Sequence, residues 1–518
     1  MTDFPWLTVL GVLPLVGAVV VAAVPNGREL LAKQIALVVS LVMVVLVVVM
    51  SLKFVPDSPD AFQFVESHVW IERFGISYAV GIDGIALVLI AMAVVLVPIV
   101  ITSGWNDADD NAQHRVQTYF ALLLALESAI VFVFAATDLF LFYVAFEIML
   151  LPVYFLIGFF GGLQRSYAAV KFLLYSLLGG LLLLAALIGL YVVSVRQLGE
   201  GTFDYTALVG LDIDPSTQKM LFAGFFFAFA VKAPMVPVHT WLPDAAAAGT
   251  PATSTLMVGV LDKVGTFAML RLCLPLFPDA SHWAAPVVVT LAVVGIVYAA
   301  LVAIGQTDMY RLIAYTSVSH FGFIVLGVFA FTQIGLSGAT LYMVAHGLST
   351  AALFLVVGFL VRRRGSSLVS AFGGVQRVAP LIAGSLMFAG LSGLALPGMA
   401  GFVGEISVLI GSYPTWPVAA VVAVIGIVLS ALYILIMVQR VSHGPETENV
   451  RGMDDLVPRE VWVVAPLMAL ILAVGVYPKP LFDVVNPASD RVLEAVDAGP
   501  FTPEVTPAGA VDEGGDAP

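Results

Sequence analysis

The sequence has one cysteine in 518 residues, Cys273, and only 11% of its side chains are charged. A single thiol excludes an internal disulfide scaffold and any iron–sulfur cluster held by cysteines of this chain alone. An average soluble domain carries about a quarter charged residues. The shortage here leaves too little polar surface to cover a water-soluble globule. No Gly-x-Gly-x-x-Gly follows a strand-like run and no Gly-x-x-x-x-Gly-Lys-Ser/Thr occurs, so direct binding of a dinucleotide or nucleoside triphosphate is not expected. There is no basic patch of the kind that holds nucleic acid. The first residues, Met-Thr-Asp-Phe-Pro-Trp, contain no base and no small-residue cleavage site follows them, so the first apolar run reads as a retained helix rather than a signal peptide.

What is present is apolar. Hydrophobic residues make up 60% of the chain and the mean hydropathy is +1.03. Runs near or above the ~20 residues that cross hydrocarbon recur throughout. They predict an all-α polytopic membrane protein with about fourteen spans: 4–24, 31–54, 79–102, 116–136, 138–160, 167–196, 218–246, 254–275, 284–304, 307–329, 335–361, 379–413, 415–440 and 460–478. An even number puts both termini on one side. With both outside, thirteen Lys and Arg residues, Arg362-Arg363-Arg364 among them, fall on the cytoplasmic side and seven on the outer side. The positive-inside rule therefore favours outer termini in a cell membrane. The net charge is −13, and eight acids against one base lie from Asp483 onward. That Pro-, Gly- and Ala-rich stretch, 483–518, reads as a mobile acidic tail.

The seventh and twelfth spans carry internal prolines, Pro234 and Pro237 in one and Pro397 in the other. Phe229-Ala-Val-Lys-Ala-Pro-Met-Val-Pro and Gly393-Leu-Ala-Leu-Pro-Gly-Met-Ala-Gly each place a proline mid-span with a polar residue after it, His239 and Glu405. Spans five and ten both begin at an aspartate, Asp138 and Asp308. An offset of five spans predicts two five-helix units, spans 4–8 and 9–13, inverted relative to each other, with broken helices in spans seven and twelve. The domain plan is then 1–115 for the first three spans, 116–276 and 284–440 for the repeats, 441–482 for the last span, and the tail. Prolines that merely kink long membrane helices are the plainer alternative.

Charges inside the spans carry most of the functional information. A charge at the bilayer centre costs a few kcal/mol or more, so such residues face a bundle interior or a hydrated path. Glu147 lies in span five, Lys232 just before the break in span seven, Asp262 and Lys263 in span eight. His320, His346 and Glu405 lie in spans ten, eleven and twelve, with Glu127 in span four and Asp138 opening span five. Burial disfavours a charged lysine and a nearby carboxylate restores it. A Glu147–Lys232 pair that opens would release a proton. Moving one charge against 100 mV takes about 2.3 kcal/mol, and about 1.4 kcal/mol is a tenfold change in proton affinity. A hundredfold to thousandfold change, roughly, is therefore enough. Static ion pairs and histidines that cap backbone carbonyls are the alternative. Asp262 and Lys263 point about 100° apart on a helix and need not pair; Asp262 could face another subunit. His239 and Asp244 could serve unwound backbone, and Asp83 an N-cap.

Ala230-Val-Lys-Ala-Pro-Met-Val-Pro-Val-His-Thr-Trp-Leu-Pro-Asp-Ala, Gln306-Thr-Asp-Met-Tyr-Arg-Leu-Ile-Ala-Tyr-Thr-Ser-Val-Ser-His-Phe-Gly and Leu396-Pro-Gly-Met-Ala-Gly-Phe-Val-Gly-Glu resemble the antiporter-like subunits of respiratory complex I, the proton-translocating NADH:quinone oxidoreductase. Gly81-Ile-Asp-Gly-Ile-Ala-Leu, Gly259-Val-Leu-Asp-Lys-Val-Gly and Glu405 point within them to the M-chain family. The resemblance spans about residues 75–480. It implies that Glu147 and Lys232 are the input pair, Lys263 the central lysine, His320 and His346 the connecting relay and Glu405 the exit. Asp262, Glu127, Asp138 and His239 are secondary candidates. Three departures stand out: Ala246 where the family often has histidine, Asp262 where the residue before the central lysine is usually apolar, and Tyr310 where a lysine is usual. Asp262 could retune Lys263.

The resemblance makes the chain a proton-pumping subunit of an enzyme complex, with no redox centre of its own. FMN and iron–sulfur clusters are expected in partner subunits. The expected partners are the other membrane-arm and peripheral-arm subunits, flanking antiporter-like subunits and membrane lipids. A subunit of a multisubunit Na⁺/H⁺ antiporter, the membrane arm of a hydrogenase-type complex and a purely structural spacer are the rival readings.

Overall fold

The computed structural model describes residues 4–109 and 113–497. The chain opens with α1 (Trp6–Ala23) and α2 (Glu29–Lys53), then a hairpin of β1 (Gln63–Ile71) and β2 (Ile76–Ile82), then α3 (Gly84–Ser103). There follow α4 (Val116–Ala135), α5 (Leu139–Ile148), α6 (Leu150–Phe160), α7 (Arg165–Leu198), the short α8 (Tyr205–Val209), α9 (Pro215–Lys232), α10 (Trp241–Ala248), α11 (Pro251–Leu256), α12 (Lys263–Ala268) and α13 (Leu274–Leu276). Next come α14 (Pro278–Ile304), α15 (Met309–Val328), α16 (Gln333–Arg364), the short α17 (Val375–Val378), α18 (Pro380–Gly393), α19 (Ala400–Ser412) and α20 (Pro417–Ser442). α21 (Pro458–Val476) and α22 (Lys479–Asp497) close it.

Eleven helices among the described residues are long and apolar enough to cross a membrane, α5 and α6 counting as one over Leu139–Phe160. The other three expected spans are interrupted. Residues 218–246 unwind between α9 and α10. Residues 254–275 contain two π-helical turns, Met257–Leu261 and Met269–Cys273. Residues 379–413 divide into α18 and α19.

Helix starts follow local chemistry. Asp83, Asp138, Asp204, Asp214, Asp308, Thr250 and Thr332 each accept a backbone N–H of the first turn of the helix they precede. Proline occupies the first helical position of α9, α14, α18, α20 and α21, where no N–H is needed. A helix that is apolar on every side belongs in the middle. That is the case for α16, whose most apolar window is 94% buried, against 28% for α2 and α21, which sit at the periphery. α16 packs against α15, α18, α19 and α3.

The helical fold includes one hairpin: β1 and β2 pair antiparallel, Glu66 opposite Val80 and Val69 opposite Ser77. A strand pair outside hydrocarbon leaves no long apolar run, so hydropathy passes over it. The tail does not begin at 483. α22 continues to Asp497 and buries Val485, Ala488, Val492 and Val496 against α3, α13, α14 and α16. One apolar stripe among acids pays for its order. Residues 498–518 lie outside the described residues.

Candidate functional site

The two helix breaks share one hydrogen-bond pattern. At the end of α9, Ala233 N–H donates to the Phe229 carbonyl (2.7 Å) and Met235 N–H to the Ala230 carbonyl five back (2.9 Å). At the end of α18, Leu394 N–H donates to Gly390 (3.0 Å) and Leu396 N–H to Leu391 (3.1 Å), again four and five back. The Trp241 indole, from the start of α10, donates to the Val231 carbonyl at 2.9 Å. A break thus frees backbone groups in the membrane and the chain satisfies them locally. Lys232 is the last residue of α9.

Lys232 is 1% exposed and its ammonium has no hydrogen-bond partner. It lies over the rings of Phe146 and Phe172, 5.0 and 5.7 Å from their centroids. Ring faces attract a cation electrostatically. Glu147, on α5, interacts electrostatically with Lys232, but its Oε1 is buried without a hydrogen bond. The expected pair is therefore near and unbonded. Glu147 fits because α7 has glycine opposite it: a Cβ on Gly180 would meet Glu147 Oε1 at 1.8 Å.

The central lysine is better connected. In the first π turn, Asp262 N–H bonds the Met257 carbonyl, five back. The Val258 carbonyl accepts from Lys263 Nζ at 2.5 Å. Lys263 Nζ also stands 2.7 Å from His346 Nδ1, on α16, and 5.2 Å from the Phe321 centroid. The other nitrogen of that ring, His346 Nε2, is buried with no hydrogen-bond partner. The His320 and His346 rings are 5.3 Å apart and the His320 and Tyr342 rings 5.7 Å. Tyr342 in turn is an electrostatic neighbour of Glu405, which is 3% exposed on α19. Tyr342 was missed in the sequence. Its signal is position, four residues before His346 and so on the same face of α16.

The secondary candidates separate. Asp138 is committed to structure: its carboxylate accepts from the N–H groups of Phe140 (2.9 Å), Leu141 (2.9 Å) and Ser77 (3.0 Å). Glu127 is 1% exposed with neither oxygen bonded, and none of the described contacts joins it to the lysine–histidine line. His239 lies in the break beyond Lys232, its ring 5.5 Å from that of Tyr298 and 6.3 Å from that of Tyr315. Asp262 is fully buried and also unbonded.

Three ion pairs were not anticipated. Asp244 takes Lys171 and Arg311 at 2.7 Å each, tying α10 to both α7 and α15. Arg271, in the second π turn, is 4% exposed and pairs with Asp83 at 2.7 Å. Among the described residues no group of three His, Cys, Asp or Glu is placed to hold a metal ion.

A family model described as NADH:quinone oxidoreductase/Mrp antiporter, TM, matches residues 136–430. NADH-quinone oxidoreductase subunit M of Mycobacterium tuberculosis is 49% identical over 528 aligned positions, covering 96% of this chain and 95% of that one. Respiratory complex I from Thermus thermophilus with bound NADH contains a chain of the same fold (TM-score 0.85, 28% identity, 95% of this chain and 99% of that one). The Mrp complex from Dietzia sp. contains another (TM-score 0.83, 24% identity, 96% and 100%), a likeness of fold alone. The model match spans more than half of the sequence and the alignment to the M subunit nearly all of it, so the chain belongs to the NADH:quinone oxidoreductase/Mrp antiporter transmembrane family, in the group of the quinone oxidoreductase M subunits.

Proposed function

We propose that this chain is a proton-translocating membrane subunit of an NADH:quinone oxidoreductase. Its protons pass from Glu147 and Lys232 to Lys263, through His346 and His320, and by Tyr342 to Glu405. The observation that carries this reading is the Lys263–His346 contact. One ring nitrogen faces the ammonium and the other is unbonded. An imidazole can accept a proton at one nitrogen and release another from the second. Lys232 over its two rings, apart from Glu147, is the open form of the input pair. Closure of the pair would hold a proton on Lys232, and opening would release it inward.

Electron transfer is the work of partner subunits, which would carry the FMN and iron–sulfur clusters. Protons are taken up from the cytoplasm and leave on the outer face. Both termini lie outside, as the distribution of bases favours. Fourteen spans, ten of them in two inverted five-helix units, account for the eleven uninterrupted spans and the three interrupted ones. Two likenesses support the repeat. One is the shared bond pattern of the breaks. In the other, Leu139 N–H bonds Phe203 and Tyr205 N–H bonds Thr137, just as Met309 N–H bonds Ser367 and Val369 N–H bonds Thr307.

A gradient-driven Na⁺/H⁺ antiporter subunit is the second reading, favoured by the common fold of the Dietzia chain. The experiment is to purify the tagged chain with its partners, reconstitute it in vesicles and measure NADH:quinone turnover with proton and sodium flux. NADH-driven proton uptake that is lost in K263M supports the proposal. Sodium flux without redox activity supports the antiporter. Unchanged pumping in an assembled K263M complex would leave the buried charges a structural role.

A further inference from the structure

Asp262 directly precedes Lys263, at the end of the first π turn. It is 0% exposed, and neither carboxylate oxygen has a hydrogen-bond partner. A buried carboxylate left unbonded is costly and persists only where something repays it. Lys263 acts on it through its charge but makes no hydrogen bond to it, since its ammonium is directed to the Val258 carbonyl and His346 Nδ1. Adjacent helical residues also point about 100° apart, so with Lys263 turned to α16, Asp262 is turned away from it. The direction is fixed by packing. A Cβ on Gly265 would meet Ala233 N and Phe229 O of the α9 end at 2.6 Å each. Gly265 is three residues after Asp262 and shares its face. Asp262 therefore looks along the contact between α12 and the end of α9, where Lys232 sits. Both Lys232 and Lys263 interact electrostatically with it. The π turn that ends at Asp262 has the form that frequently marks functional positions within helices.

We infer that Asp262 carries protons between Lys232 and Lys263, an intermediate station in a gap that would otherwise separate two lysines. The inference rests on the relay proposed above and adds a member to it. In the first step an N–H bond of the Lys232 ammonium breaks and an O–H bond forms on the Asp262 carboxylate, leaving a neutral amine and a carboxylic acid. In the second, the Asp262 O–H bond breaks and an N–H bond forms on the neutral Lys263 amine. The carboxylate is restored and one positive charge has moved from Lys232 to Lys263. Each step is direct or passes through one water. A carboxyl group is suited to this because it accepts on one oxygen and donates from the other.

The test uses the assembled complex in vesicles, with D262N, D262L and D262E compared against K263M. The expected result is NADH-driven proton translocation about tenfold lower or less in D262N and D262L, with subunit composition and NADH oxidation by an artificial acceptor unchanged. D262E should recover most of the rate. Infrared difference spectra taken during turnover should show a protonated-carboxyl band that moves with carbon-13-labelled aspartate and is missing in D262N. This measurement does not require D262L to assemble. Normal pumping in D262N, or a wild-type complex lacking that band, would overturn the inference. If D262N pumps normally while K263M does not, Asp262 is excluded and the relay stands. If K263M also pumps normally, the relay itself fails.

Discussion

Lys263 Nζ stands 2.7 Å from His346 Nδ1, so a lysine that opens α12 and a histidine of α16, 83 positions apart in the chain, meet in the buried interior. The contact is both structural and chemical. A hydrogen bond to a charged group is worth about 1.5–3 kcal/mol, which is roughly a tenfold to hundredfold change in a rate or equilibrium that depends on it. His346→Leu in the assembled complex is expected to lower proton translocation per NADH oxidised by about tenfold or more. His320→Leu should do the same, since it removes the next ring. Proton uptake by reconstituted vesicles, set against NADH oxidation, checks both.

Gly180 makes space for Glu147. A Cβ there would overlap the Glu147 carboxyl, so Gly180→Val should displace it from the neighbourhood of Lys232. Overpacking of this kind costs about 1–3 kcal/mol. Pumping should fall towards that of Glu147→Gln, while Gly179→Ala, whose Cβ would meet Ala228 Cα at 3.2 Å, tight but without the overlap found at Gly180, should change it much less. Equal effects at the two glycines would mean that α7 matters only for packing.

The Asp83–Arg271 pair sits at 8% and 5% side-chain exposure, with the Phe62 and Phe267 rings against the guanidinium. Removing one partner of a buried pair costs about 3–5 kcal/mol, because it strands the other charge. Arg271→Leu should therefore reduce the amount of assembled complex and its melting temperature. The double change R271L with D83N should recover part of the loss, and the thermal unfolding of the four combinations measures the coupling.

Asp244 tests the contacts of α10. Its two partners differ in exposure, Lys171 at 19% and Arg311 at 38%. Solvent screens the more exposed pair, so a double-mutant cycle should give Arg311–Asp244 no more than about 1 kcal/mol and Lys171–Asp244 a larger value. Asp244→Asn should loosen α10 from α7 and α15 at once, visible as faster hydrogen exchange over 241–248. A larger coupling to Arg311 would show that exposure is not what ranks them.

The candidates for the proposed relay were legible because intramembrane charge is rare. Glu147, Lys232, Lys263, His320, His346 and Glu405 announce themselves by type and place. The proline breaks were legible as well, since proline removes a helical hydrogen bond wherever it stands. Tyr342 was not, because a tyrosine in an apolar helix is ordinarily core. The burial of Arg271 was not legible either, because its partner Asp83 lies 188 positions earlier in the chain. The hairpin and α22 escaped because neither is a long apolar run.

By itself the sequence determined the solvent. Composition required a membrane, apolar run length set the approximate number of crossings, and buried charges in separate spans marked a path. Those properties are local, each read within one window of the chain. Only the tertiary structure decided which charges meet. Lys263 bonds His346, Glu147 stands apart from Lys232, Asp138 serves as a cap, and Asp262 turns toward α9. Those outcomes depend on helix rotation and close approach at residues such as Gly180 and Gly265, and contacts between distant segments are fixed by packing rather than by spacing.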